Sequence, residues 1–130
     1  MNKMKTEGYP VKPYGQPVKR YVQAISLKDN PQLMSRYREL HSRLLFWKDI
    51  QEGIKAVGIL EMELYILGNH VVMIVETPLD FDWDTAMRRL ATLPRQQEWE
   101  DLVATFQQCR EGDTSDEKWQ MMERMFHLYD

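Results

Sequence analysis

Two apolar segments joined by a Gly-Asn pair constrain the fold of this chain more than any other feature. The first, ILEMELYIL at residues 59–67, alternates apolar and polar side chains with a period of two, which is typical of a half-buried β-strand. The second, HVVMIVE at residues 70–76, is apolar on both faces and is therefore expected to be covered on both. Because Gly68 and Asn69 suit a tight turn, the sequence predicts an antiparallel hairpin.

A long helix is predicted before this hairpin. Residues 31–57 carry apolar side chains at three- and four-residue spacing, the pattern of an amphipathic helix. Asp29 or Asn30 can accept the free N–H groups of its first turn, and Gly58 is placed to end it. A helix of this length is unusual, so we expect a kink or break near residues 46–49.

The remaining elements are predicted from shorter patterns. Residues 20–27 are rich in β-branched and aromatic side chains and predict the first strand, after an extended, proline-rich tail at residues 1–18. Helical spacing predicts a helix from Trp83 that stops before Pro94, and a second helix that Pro94 opens. An imperfect alternation of apolar and polar residues over residues 118–128 predicts the last strand.

The order of these elements predicts the fold class. Strand, helix, strand, strand, helix in two pieces and strand is the split βαβ arrangement of a ferredoxin-like α+β fold with a four-stranded antiparallel sheet. The helices of such a fold lie on one face of the sheet, and the other face has to be buried by something else. We therefore expect a homodimer in which two sheets pack face to face as a dimeric α+β barrel.

Composition narrows the class of protein. A chain of 130 residues with 43% hydrophobic and 28% charged residues suits one soluble domain, which we place at residues 19–130. The net charge of -3 and the scattered basic residues argue against nucleic acid, and no apolar run is long enough for a membrane span. The lone Cys109 and the lack of a signal-peptide pattern predict a cytoplasmic protein.

Tyr37 and His41 are the residues most suggestive of chemistry. They are four positions apart, so on a helix they share one face and can hold the same small molecule. Leu33, Leu40 and Leu44 surround them, which turns that face toward the sheet. A half-buried imidazole there suits general acid or base catalysis near neutral pH. A structural histidine at the edge of the core is the alternative.

Other side chains give weaker signals. The four tryptophans could stack on sugar rings, although core packing is the more usual role for each. They are Trp47, Trp83, Trp99 and Trp119. The other two histidines, His70 and His127, lie in no recognised ligand pattern, so we expect no metal site. The dispersed glycines form no phosphate-binding loop, and we expect no cofactor.

Several of these segments together resemble the L-rhamnose mutarotase family. They are YRELHSR from Tyr37, the helix that ends at Gly58, MELYILGN from Met62 and QEWEDL from Gln97. The resemblance covers roughly residues 20–128. It implies a dimeric ferredoxin-like isomerase that interconverts the anomers of a monosaccharide without metal or nucleotide.

The resemblance also implies roles for individual residues. The family's proton-donating histidine matches His41, and the tyrosine one turn earlier that contacts the sugar matches Tyr37. A sugar-binding tryptophan of the later helix matches Trp99. The second tryptophan of that pair is replaced here by Glu100.

Three further pocket positions depart from the family pattern or match it only approximately. The segment between the histidine and Gly58 is longer than usual, so Trp47 corresponds approximately to a family tryptophan. A strand position that usually holds a sugar-contacting tyrosine is Met62 here, with Tyr65 nearby. These changes leave the substrate open among 6-deoxy-hexoses such as L-rhamnose and L-fucose.

Two other functions compete with the mutarotase. The first is a non-catalytic dimeric sugar-binding module in which His41 is structural. The second is a cofactor-independent oxygenase of the same barrel architecture, because fold alone does not determine function. Such oxygenases act on extended aromatic substrates, for which a wider apolar cleft with fewer acidic residues would be expected.

Overall fold

The computed structural model describes residues 4–110 and 113–129, and it has the predicted α+β architecture. The four strands form one antiparallel sheet in the order β2-β3-β1-β4, which is the ferredoxin-like order. In chain order the elements are α1 (Met4–Glu7), β1 (Val18–Ser26), α2 (Pro31–Leu40), α3 (Lys48–Ala56), β2 (Glu61–Leu67), β3 (His70–Pro78), α4 (Trp83–Leu90), α5 (Gln96–Ala104), α6 (Ser115–Lys118) and β4 (Gln120–Met121).

The central hairpin forms as predicted. Gly68 adopts the left-handed region at φ 60°, where glycine is favoured, and Leu67 pairs with His70 across the turn. Val71, Met73 and Val75 of β3 are buried in the core that lies between the sheet and the helices. Their neighbours Val72 and Ile74 point to the opposite face and are only half-buried, so the chain covers β3 fully on one face and partly on the other.

The predicted helix over residues 31–57 is two helices, and the break comes earlier than expected. Asn30 caps α2 by accepting from two backbone N–H groups, and Gly58 at φ 101° follows α3, as predicted. Between them the chain leaves the helix at His41 and turns before α3 starts at Lys48. Leu44 was expected on the sheet-facing side, but the break leaves its side chain 95% exposed.

The two ends of the chain also differ from the sequence prediction. The final strand is limited to Gln120–Met121, and the segment from Met122 to Tyr129 pairs with no strand in the described structure beyond one hydrogen bond from Met122 to Val22. The alternation of apolar and polar residues in this segment is too imperfect to specify strand pairing by itself. At the other end, the tail that was predicted to be extended contains one helical turn, α1, and β1 begins at Val18.

The start of α5 is a third difference. Pro94 does not open this helix; Arg95 stands at the N-cap in the left-handed region at φ 63°, without a side-chain cap, and the helix begins at Gln96. The guanidinium group of Arg95 stacks over the Trp47 ring, 4.1 Å from its centre. In the described ranges no helix has the length and apolar composition that a membrane span requires.

Candidate active site

A cavity of about 710 Å³ lies between the sheet and the helices. Its volume falls in the range of roughly 300 to 1,000 Å³ that is usual for small-molecule sites. Its walls come from the turn after α2, from α3 and α5, and from the inner face of the sheet. The lining residues that matter for the chemistry are Tyr37, His41, Phe46, Met62, Trp99 and Gln107.

His41 is held at the C-terminal end of α2 with one ring nitrogen fixed. Its Nδ1 lies 2.7 Å from the backbone carbonyl oxygen of Tyr37, one turn earlier. A carbonyl oxygen can only accept a hydrogen bond, so we assign the proton of the neutral ring to Nδ1. The Nε2 atom then carries a lone pair. The helix break thus presents an imidazole that can act as a base at the cavity wall.

Burial keeps this imidazole neutral. Desolvation lowers the pKa of His41 below its usual 6.5, and the hydrogen bond to the Tyr37 carbonyl opposes this effect without overcoming it. At neutral pH the ring is therefore mainly unprotonated. It can accept a proton first and return it afterwards.

Tyr37 lines the same cavity, and its hydroxyl group remains protonated. The rings of Tyr37 and His41 are 4.4 Å apart between centres. Burial raises the pKa of Tyr37 to about 12, although a hydrogen bond from Gln107 acts in the opposite direction. Because Nε2 of Gln107 donates to the phenol oxygen at 3.2 Å, the phenol hydrogen is left for another acceptor.

Trp99 forms an aromatic wall beside His41. The indole ring is 6% exposed and meets the imidazole edge to face, with 5.4 Å between ring centres. Phe46 packs edge to face against Trp99 from the cavity side at 5.1 Å. Trp47 supports Trp99 at 5.2 Å but is not among the residues that line the cavity. Trp47 therefore buttresses the wall, and Phe46 forms part of its surface.

The two candidate residues of β2 lie on opposite faces of the sheet. Met62 faces the helices and lines the cavity. Tyr65 is on the other face, where its ring contacts Tyr9 and its hydroxyl donates to Glu63 at 3.2 Å. The period of two along a strand separates these side chains. Within the described chain, Tyr65 is therefore not brought together with Tyr37, His41 and Trp99.

Comparisons with known proteins assign this arrangement to a family. A sequence model described as L-rhamnose mutarotase matches residues 20–128. The chain belongs to the L-rhamnose mutarotase family. It is accordingly a mutarotase, an isomerase-type enzyme.

Individual relatives agree with the family assignment. An L-fucose mutarotase of Xanthomonas campestris is 30% identical over 111 residues, which cover 85% of this chain and 89% of the relative. A UPF0734 protein of Dictyostelium discoideum is 33% identical over 91 residues, 69% of this chain and 71% of that protein. The crystal structure of an L-rhamnose mutarotase from Formosa agariphila aligns with a TM-score of 0.61 at 18% identity, over 85% of this chain and 98% of the other, and supports the fold.

In this mutarotase Glu100 belongs to a buried polar network instead of an aromatic wall. One carboxylate oxygen lies 3.0 Å from Nζ of Lys118, and the other accepts from Nε2 of Gln96 at 3.1 Å. The Lys118 side chain is fully buried and that of Glu100 is 8% exposed. Both Glu100 and Gln96 line the cavity. Glu100 therefore lies at the cavity wall as a carboxylate whose charge is neutralised by the buried Lys118.

Sequence reasoning missed three of these contributors. Gln107 is one of two adjacent glutamines after a predicted helix stripe, and nothing in that pattern distinguishes it from a surface residue. Lys118 falls at the start of the predicted last strand, and its burial depends on contacts with α5. Phe46 could have been found, because it is a large aromatic residue at the expected break in the helix.

Proposed function

We propose that this mutarotase interconverts the α and β anomers of a 6-deoxy-hexose, L-rhamnose or L-fucose, in the cavity that contains His41. One observation carries the proposal: His41 lines the cavity with Nδ1 hydrogen-bonded to the helix backbone, which leaves Nε2 available, and its ring lies beside that of Tyr37. The substrate class is supported by the family name and by the L-fucose mutarotase relative.

The reaction needs only the transfer of one proton in each direction. Nε2 of His41 accepts the proton of the anomeric hydroxyl as the bond between C1 and the ring oxygen breaks, with its electron pair moving to the ring oxygen. The resulting imidazolium gives that proton to the ring oxygen, which leaves an open-chain aldehyde. Rotation about the C1–C2 bond and the reverse sequence close the other anomer. Nothing is oxidised or reduced.

The remaining lining residues suit a small sugar with an apolar end. The Tyr37 hydroxyl can donate a hydrogen bond to an oxygen on which negative charge develops. Phe46, Met62 and Trp99 offer apolar surface to the C–H groups and the C6 methyl of the substrate. A hydroxyl at C6 would be placed against this surface without a partner.

This wall predicts a preference between matched pairs of sugars. We expect kcat/KM for L-fucose and L-rhamnose to exceed that for L-galactose and L-mannose by about 10- to 100-fold, because the second pair differs only by a C6 hydroxyl. Saturation-transfer NMR of the anomeric protons measures the exchange rates. Equal rates within each pair would contradict the apolar C6 site, and no acceleration for any of the four would contradict the function.

We also propose that the enzyme is a homodimer that uses the sheet face away from the helices. Val22 pairs with Ile74, and Ala24 with Val72, so this face carries a half-buried apolar centre. The C-terminal segment adds exposed apolar side chains, among which Met125 is 93% and Phe126 is 72% exposed. Apolar exposure of this kind marks surfaces that another chain covers, and a second copy supplies a matching sheet.

Charged substitutions in this segment are expected to separate the dimer. Met125→Glu combined with Phe126→Glu should shift the mass measured by light scattering from two chains to one, because four carboxylates would be buried across a two-fold interface. Leu44→Glu is the matched control, since that exposed leucine lies in the turn after α2. A wild type that is monomeric at micromolar concentration would exclude the dimer.

Two further assignments complete the proposal. We assign residues 19–130 to one catalytic domain that a tail at residues 1–18 precedes, and Tyr14 of this tail contacts the domain, because its hydroxyl donates to Glu76 at 2.8 Å. We place the enzyme in the cytoplasm, where a free thiol such as Cys109 stays reduced. Limited proteolysis tests the first assignment and cell fractionation the second.

A further inference from the structure

We infer that Gln107 is a positioning residue for Tyr37, which holds the phenol so that its hydrogen is directed to the sugar. The inference rests on the proposed function and adds to it a residue outside the recognised motif. Gln107 lines the cavity, and its side chain is fully buried, with 1% of the residue exposed.

The backbone around Gln107 is fixed by the sheet. Gln107 forms an isolated β-bridge with Leu27 at the end of β1, and the N–H of Gln108 donates to the carbonyl of Ser26 at 2.9 Å. The side chain therefore starts from a rigid position beside the core. From there its Nε2 reaches the phenol oxygen of Tyr37 at 3.2 Å.

The direction of this hydrogen bond determines what Tyr37 can offer a ligand. A phenol oxygen that accepts from an amide N–H keeps its own hydrogen for a second partner. In the described part of the chain, no side chain or backbone group accepts that hydrogen. The phenol can therefore donate to a substrate oxygen in the cavity.

The other end of the amide supports the same conclusion. Among the buried side-chain nitrogen and oxygen atoms of the described residues, Oε1 of Gln107 alone lacks a hydrogen-bond partner. Turning the amide over would pair Oε1 with the phenol hydrogen and make Tyr37 an acceptor toward the sugar. The orientation in the structure leaves Oε1 as an unpaired acceptor and makes Tyr37 a donor, whereas the reversed orientation would put the Nε2 amide group, with two N–H donors, in the place of Oε1.

Two substitutions test this role in two backgrounds. Gln107→Met keeps the length of the side chain but cannot donate, and we expect kcat/KM for anomeric exchange to fall about 3- to 10-fold. Gln107→Glu accepts the phenol hydrogen and should cause a larger loss. In a Tyr37→Phe background, Gln107→Met should change kcat/KM by less than about twofold, because the group on which it acts is gone.

The outcomes separate this inference from the proposed function. If wild type accelerates exchange and Gln107→Met lowers it equally in both backgrounds, Gln107 acts on the fold alone and the inference is wrong. If neither Gln107→Met nor Gln107→Glu changes the rate, the inference is also wrong. If wild type fails to accelerate exchange, the proposed function itself fails. Gln97→Met, an exposed change on α5, is the matched control, and thermal unfolding checks that each variant is folded.

Discussion

Replacing His41 by asparagine is expected to lower the catalysed rate of anomeric exchange by about 10²- to 10⁴-fold, the usual contribution of general acid–base catalysis. Asparagine is of similar size and can still donate an N–H to the Tyr37 carbonyl, so the end of α2 should be retained. It has no group that takes up a proton near neutral pH. Saturation-transfer NMR with L-fucose or L-rhamnose measures the loss.

The same imidazole should set the pH dependence of the wild type. Because burial lowers the pKa of His41 below 6.5, the base form predominates at neutral pH and is lost as the pH falls through that lowered pKa. The rate should therefore be flat from neutral to weakly alkaline pH and should decline on the acid side, with a midpoint below 6.5. The residual rate of the His41→Asn variant should lack this acid limb.

His70→Asn provides a matched control for the His41 experiment. His70 is exposed at the start of β3 and contacts the Ser26 hydroxyl at 3.3 Å, away from the cavity. We expect its rate and pH profile to equal those of wild type. A His41→Asn enzyme that keeps the wild-type rate would show that the imidazole is structural and takes no part in catalysis.

The sheet was predictable because its signals are local. A period of two, a Gly-Asn turn and β-branched residues specify β1, β2 and β3 within short windows of sequence. Asn30 and Gly58 likewise mark helix ends by the chemistry of single residues. The split βαβ order then follows from the order of these elements, and it is confirmed by the strand order of the sheet.

The helix break could not be located from sequence because it depends on a distant residue. Phe46 and Trp47 both pack against Trp99, which lies far along the chain on α5. Helical periodicity continues through this region, so only the unusual length of the helix indicated a break, and it was expected near residues 46–49. In the structure the break begins at His41, and the contacts of Phe46 and Trp47 with Trp99 hold the chain between α2 and α3 against α5.

The polar part of the cavity also could not be predicted from local sequence patterns. Whether Gln107 or Lys118 is buried depends on how the segment after α5 returns to the sheet, and no periodicity encodes that path. In contrast, the aromatic and histidine positions came from helical spacing and from the family resemblance. The sequence thus identified the groups proposed for chemistry, and the structure supplied the groups that orient them.

Removing Lys118 is the substitution expected to affect stability most. Its ammonium group is fully buried 3.0 Å from the Glu100 carboxylate, so Lys118→Met leaves a carboxylate in the interior with Gln96 as its remaining side-chain partner. Loss of one member of a buried ion pair lowers the free energy of unfolding by about 3 to 5 kcal/mol. Urea unfolding followed by circular dichroism should show a clearly lower midpoint.

The double variant distinguishes a buried charge from lost packing. Lys118→Met with Glu100→Gln removes both charges, and its unfolding midpoint should recover most of the difference, because a neutral amide can stay beside Gln96 without a cation. Arg36→Met breaks an exposed pair with Glu39 and should change the midpoint little. If the double variant is no more stable than Lys118→Met alone, the loss comes from packing around the lysine stem. In that case the ion pair contributes little to the stability of the cavity wall.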